Sequence, residues 1–278
     1  MNIPKFPLAH YIDVILDFLT ANLSWLTKGI SEVMGAGMEA TVDALLSIPS
    51  WLFILIVVAA AYKIVGRRMA IGTLLGLYLL QNLHLWVSTI ETFVLVLIAT
   101  IVAVAIGIPL GILAAIYDGA NRMIMPLLDF MQTMPAFVYL IPAIPFFGLG
   151  PVAAIFSTVI FAMPPAIRLT SLGIRQVPAD LVEAADAYGC DRRQKLFKLQ
   201  LPIAMPTIMA GVNQTIMLAL SMVVIAAMIG AGGLGGEVWK AIQRLQPGKG
   251  FEAGIGIVIL AMILDRFTSK VGRSKSAQ

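Results

Sequence analysis

The chain of 278 residues is poor in the residues that most soluble chemistry requires: it has one cysteine, two histidines and only 12% charged side chains. A lone Cys190 excludes a disulfide framework within the chain. His10 and His84 lie too far apart for metal-ligand spacing, so no metal site is expected. No phosphate-binding G-x-x-x-x-G-K-[ST] run occurs, because Gly248-Lys249-Gly250 lacks both the earlier glycine and the Ser/Thr. Clustered carboxylates and nucleophile–base pairs are also missing, which argues against an enzyme. Residues 1–7 hold one Lys, and Asp13 and Asp17 interrupt the apolar residues after them, so the start does not read as a secretory signal. Soluble domains carry about 25% charged residues. With 59% hydrophobic residues and a mean hydropathy of +0.93, the solvent for most of this chain is lipid.

What the chain does have is long apolar runs. A membrane-crossing helix needs about 20 mostly apolar residues. The candidates are 49–66, 69–88, 90–117, 124–148, 150–168, 205–230 and 251–269, about seven in all. The expected fold is thus an all-α membrane protein. Residues 1–48 form an N-terminal amphipathic or interfacial region, and 49–88 peripheral transmembrane helices. Residues 89–270 form the core and 271–278 a basic tail. In the first region Ile12, Ile15, Leu16 and Leu19 make one apolar stripe, and Val33, Met34, Met38, Val42 and Leu45 a second. Such helices lie in the interface or pack on a bundle. Pro135, Pro142, Pro145, Pro164 and Pro165 cluster in the middle runs, as either packing kinks or markers of a pathway. With Arg67 and Arg68 placed inside, only Lys5, Lys28, Lys240, Arg244 and Lys249 fall outside, leaving 14 of the 19 basic residues inside. That asymmetry sets the N-terminus outside and the C-terminus in the cytoplasm.

One stretch between the runs, residues 169–204, is long, polar and charged. Asp180 followed by Glu183 has capping-box spacing, and Ala184, Ala185 and Ala187 favour helix. Gly189 supplies a left-handed residue to end that helix. Asp191, three before Gln194, opens a second helix bearing Arg192, Arg193, Lys195 and Lys198, which Pro202 is expected to close. Two capped helices around a glycine, held at the membrane surface, suit the docking of a partner. Binding of anionic lipid through the basic residues is the plainer alternative. The run from Gly230 to Gly236 is expected to be a flexible outer turn rather than a nucleotide site.

Glu183-Ala184-Ala185, then Gly189, then Leu199-Gln200-Leu201-Pro202 resembles the EAA loop of binding-protein-dependent ABC importer permeases, with Leu199 where that pattern usually has Ile. Asp129-Phe130-Met131-Gln132-Thr133-Met134-Pro135-Ala136-Phe137-Val138-Tyr139 is similar to the quaternary-amine permeases of the ProW and OpuA type, which serve glycine betaine/proline betaine importers. So are Phe161-Ala162-Met163-Pro164-Pro165-Ala166-Ile167-Arg168, the segment Asn213 to Met228, and Leu264-Asp265-Arg266. The similarity covers roughly residues 90–270. It implies a type I ABC importer permease core in a bacterial inner membrane. The coupling residues it implies are Glu183, Ala184, Ala185, Gly189, Leu199, Leu201 and Pro202. It also implies two partner ATPases that bind ATP and Mg, a second permease copy and a separate extracytoplasmic binding protein. This chain would hold no cofactor and bind no nucleic acid.

For a translocation path the candidates are Gln132, Phe137, Tyr139, Asn213, Gln214 and Ser221, with Phe130, Phe146 and Phe147 beside them. Aromatic and weakly polar walls suit a quaternary amine, which has few hydrogen-bond donors. Ordinary packing accounts for each aromatic, and interhelical hydrogen bonding for the amides. Asp129 reads as a partner for Arg122 or Arg168. Relatives of this kind also carry choline, carnitine or histidine. A permease for another solute, such as histidine or a sulfonate, and a stand-alone carrier or channel remain as alternatives.

Overall fold

The computed structural model describes residues 7–274; Lys5 and residues 275–278 of the basic tail lie outside them. The described residues are helical, with no strand among them. In chain order the helices are α1 (Leu8–Ser47), α2 (Ser50–Ile64), α3 (Arg67–Asn82), α4 (Trp86–Ile116) and α5 (Asp118–Thr133). A 3-10 turn, Ala136–Tyr139, leads into α6 (Leu140–Phe147). Then come α7 (Pro151–Ala162), α8 (Pro164–Arg175), α9 (Ala179–Ala187), α10 (Arg192–Gln194), α11 (Leu201–Ala226), α12 (Gly233–Gln243) and α13 (Pro247–Ser274).

The two N-terminal stripes share one helix of 40 residues. No proline stands between Pro7 and Pro49 to break it. Only its second stripe joins the core: Met38 is buried, and Met34, Val42, Leu45 and Leu46 pack beside it. Pro49 then turns the chain, and α1 meets α2 at 96°.

Among the described residues three helical stretches are long and apolar enough, by length and composition, to cross a membrane: Trp86–Ile116, Pro151–Arg175 and Arg192–Ile229. The count rises to five if each of two bent pairs is one span. The 15 residues of α2 and 16 of α3 fall short of the usual length on their own. The 28-residue α13 is long enough but carries Glu252, Asp265, Arg266 and Lys270. The expected run 124–148 is the second bent pair, α5 and α6, meeting at 111° where Met134-Pro135 takes extended backbone.

The core is built around α8, which lies between α4 and α11. Gly107 and Gly111 of α4 form a small-xxx-small face that lets the two backbones close. A β-carbon on Gly111 would lie 2.6 Å from the Ile167 carbonyl oxygen. From the other side a β-carbon on Gly211 of α11 would lie 3.0 Å from the Pro165 carbonyl oxygen. Lipid offers little hydrophobic drive between helices, so such close van der Waals approach does the holding. Ile155, Ile167, Val94, Leu95 and Met222 fill the interior and are almost wholly buried.

The glycine run is packed rather than flexible. The Gly233 N–H donates to Glu91 Oε2 at 2.8 Å and the Leu234 N–H to Thr92 Oγ1 at 2.8 Å, so α4 caps the first turn of α12. A β-carbon on Gly233 would lie 2.4 Å from Thr92 Oγ1. Close approach and a left-handed backbone at φ +65° both demand glycine there.

Candidate functional site

The polar loop begins where α8 ends. Arg175 donates to the Ala114 carbonyl and pairs with Asp118, each at 2.8 Å. Two turns earlier on the same helix, Arg168 pairs with Asp129 at 2.5 Å, the second of the two partners expected for that acid. Two arginines thus tie α8 to the ends of α4 and α5.

The expected capping box at Asp180 does not form. Pro178, with its φ fixed near the helical value, stands at the N-cap, and no side chain bonds the free amides. Asp180 lies inside the first turn, where its charge favours the positive end of the helix dipole. The other end is as the glycine predicts. Gly189 has φ +76°. The Cys190 N–H donates to the Ala185 carbonyl and the Gly189 N–H to the Asp186 carbonyl, each at 3.0 Å. Those two bonds are a Schellman closure. Asp191 then caps the next helix in a complete box: its carboxylate accepts from the Gln194 N–H at 2.6 Å, and the Gln194 side chain accepts from the Asp191 N–H at 3.1 Å.

Pro202 does not close this helix. The chain runs on from Arg192 through α11, and residues Lys195–Gln200 form a π-helical turn just before the proline. The Leu201 N–H bonds back to the Leu196 carbonyl, five residues earlier. Widening the ladder by one residue is a known way to accommodate a disruption without ending a helix. The loop's second helix is therefore one rod with α11. Leu196 is buried with Ile174, Ala204 and Ile208, fixing that rod to α8. Lys195 Nζ clamps the first helix to it, 2.5 and 2.8 Å from the two Asp186 oxygens.

What remains free is a surface. Glu183, Ala184, Ala187 and Gly189 are exposed, with Ala185 half-buried. Of the later positions Pro202 is exposed, while Leu199 and Leu201 are half-buried. Beside them Tyr188 is 90% and Phe197 64% exposed. In the sequence Phe197 reads only as an apolar residue of the basic helix and Tyr188 has no role, although a tyrosine directly before the helix-ending glycine is the signal that could have found it.

The six path candidates divide. Gln132 and Phe137 are exposed on either side of the α5–α6 bend, and Gln214 and Ser221 are exposed two turns apart on one face of α11. Tyr139 is turned inward. Its hydroxyl donates to the Met131 carbonyl, its ring meets Phe161 edge-on at 5.7 Å, and its carbonyl accepts from Ser157 at 3.1 Å. It braces the bend. Asn213 donates to Asp265 Oδ1 at 2.8 Å and accepts from Thr268 at 2.6 Å, locking α11 to α13.

This arrangement has relatives. Residues 107–274 match the family of binding-protein-dependent transport system inner membrane components. The glycine betaine transport system permease protein OpuAB of Bacillus subtilis (strain 168) is 49% identical over 100% of this chain and 98% of its own length. The chain belongs to that family, in its ProW/OpuA-type branch. The permease is also 48% identical to the glycine betaine/carnitine permease GbuB of Listeria monocytogenes serotype 1/2a (strain 10403S), over 100% of this chain and 99% of that one. It is 49% identical to the glycine betaine/proline betaine permease ProW of Escherichia coli (strain K12), over 92% of this chain and 76% of that one. Two crystal forms of the MetNI methionine ABC transporter, inward-facing, share the fold. They superpose with TM-scores of 0.62 and 0.63 at 22% identity, over 66% and 69% of this chain and 93% and 95% of theirs. The permease is a transmembrane subunit of an ABC importer.

Proposed function

We propose that this permease passes glycine betaine, proline betaine or a related quaternary amine across the bacterial inner membrane. A partner ATPase that holds ATP and Mg would drive it through the loop. The observation that carries the reading is the exposed surface around Gly189, joined to the core on both sides. Motion of a body docked on Glu183, Ala184, Ala185 and Tyr188 enters α8 along the chain, passes through Arg175 to the ends of α4 and α5, and enters α11 through the π-helical turn. Rigid elements of this kind can convert closure of two ATPases into rocking of two permease copies. The names of the relatives support the choice of cargo.

In this reading the exposed positions Gln132, Phe137, Gln214 and Ser221 line the path between paired copies. A separate binding protein delivers the amine. The loop and both arginine pairs lie on the cytoplasmic side, in keeping with the distribution of basic residues. Hydrolysis in this reading belongs to the partner ATPase.

Cross-linking tests the docking surface. With Cys190→Ser as background, Tyr188→Cys in the full assembly should form an ATPase adduct with a short bifunctional reagent. Leu245→Cys, at the far end of the bundle, should not. An adduct from Leu245→Cys with none from Tyr188→Cys refutes the assignment.

A further inference from the structure

Away from the loop, α12 and α13 enclose a groove of about 880 Å³ lined almost wholly by carbon. Its floor follows from one row of α13. Gly250, Gly254, Val258 and Met262 are four residues apart and stack on one face. The two glycines hollow the end nearest the α12–α13 turn, and a β-carbon on Gly254 would meet nothing within 4 Å. Ile242 and Phe251 form exposed walls. From Gly250 to Met262 the groove runs about 18 Å at the helical rise. One leaflet of a bilayer has about 15 Å of hydrocarbon.

The mouth has opposite chemistry. A second, polar hollow of about 240 Å³ shares Ala241 and Gln246 with the groove and is lined by His84, Lys240, Arg244, Lys249, Glu237 and Glu252. Glu237 is taken up by Lys240 at 2.8 Å. Arg244 and Lys249 are exposed and form no ion pair among the described residues. They outnumber the one remaining acid, Glu252. Between the two hollows stands Leu245, 88% exposed and at φ +52°. Its place is the left-handed residue that ends α12: its N–H bonds the Ile242 carbonyl and the next N–H the Ala241 carbonyl. Leucine is strained there, glycine is not. A strained, solvent-facing leucine at the rim fits a side chain kept for contact with something apolar.

We infer that this groove is a binding site for one anionic phospholipid, with an acyl chain along α13 from Gly250 to Met262 and the headgroup phosphate between Arg244 and Lys249. The match of hydrocarbon length to groove length, and of negative phosphate to a net positive mouth, selects a lipid over a peptide. Arginine and lysine at a membrane surface attract anionic lipid individually, and two act together here.

The test uses the full-length permease in detergent, with lipid retained after dilution counted by native mass spectrometry. The probes are phosphatidylglycerol and phosphatidylcholine with identical acyl chains. The wild type should retain phosphatidylglycerol about tenfold to thirtyfold better than phosphatidylcholine. R244Q/K249Q should bring the two towards equal retention without lowering that of phosphatidylcholine. G254W, which fills the hollow, should lower retention of both, and G254L does the same if the larger residue lowers helix content. Equal retention of the two lipids by the wild type would overturn the inference, as would wild-type retention in both Gly254 variants. A change of oligomeric state in G254W with lipid retention intact would assign the groove to a second copy instead.

Discussion

Substitution of Gly189 separates a coupling loop from a polar lid. The residue sits at φ +76° with open space around the position of a β-carbon, so a side chain there meets no neighbour. The cost is then purely backbone. A left-handed conformation costs most residues about 1–2 kcal/mol, is eased for asparagine, and is worst for β-branched side chains. About 1–2 kcal/mol is a factor of roughly 5–30 in the population of the closed turn. A looser turn also frays the two backbone bonds from Gly189 and Cys190 that hold the end of α9. Uptake driven by ATP in proteoliposomes should therefore fall in the order Gly, Asn, Ala, Val, with Gly189→Val at least several-fold below Gly189→Asn. Insertion and assembly should stay constant across the series, because nothing in the core touches this residue. Equal rates for the Val and Asn variants would refute this, since the two residues differ in their tolerance of that backbone region.

Three further outcomes test other links. Breaking the loop clamp with Lys195→Met should weaken coupling several-fold and leave thermal stability within about 1 kcal/mol, because partly exposed pairs contribute little; Asp186→Asn on top should add nothing, as read in a double-mutant cycle. Gly111→Val should lower the melting temperature or prevent assembly, since its β-carbon would lie 2.6 Å from a carbonyl oxygen that cannot move aside; overpacking of this kind costs about 1–3 kcal/mol. Asp265→Leu should loosen α11 from α13 by about 0.6–1.7 kcal/mol, the range for interhelical hydrogen bonds in lipid, measured by denaturant unfolding in micelles.

The sequence showed the loop better than the bundle. Gly189 and the Asp191–Gln194 box are local chemistry, set by a few neighbouring residues, and both appear in the structure. Asp180 loses the cap to Pro178, a competition between two good helix starters two residues apart. Pro202 reads as a stop because proline usually ends a helix; a wider turn before it needs the whole α11 rod to be worth keeping. The bend within 124–148 was less legible, because hydropathy alone does not show where an apolar run turns, here at Met134-Pro135. Tertiary partners were hidden too. Nothing near Asn213 or Glu91 in sequence points to Asp265 or to the Gly233 amide, which lie 52 and 142 residues away.

The most direct measurement is uptake of labelled glycine betaine by proteoliposomes holding the permease, its ATPase and its binding protein. Uptake should require ATP on the ATPase side together with all three proteins, and should fall several-fold with Gly189→Val. Equal uptake by the permease alone under an ion gradient would contradict this and make the chain a carrier in its own right.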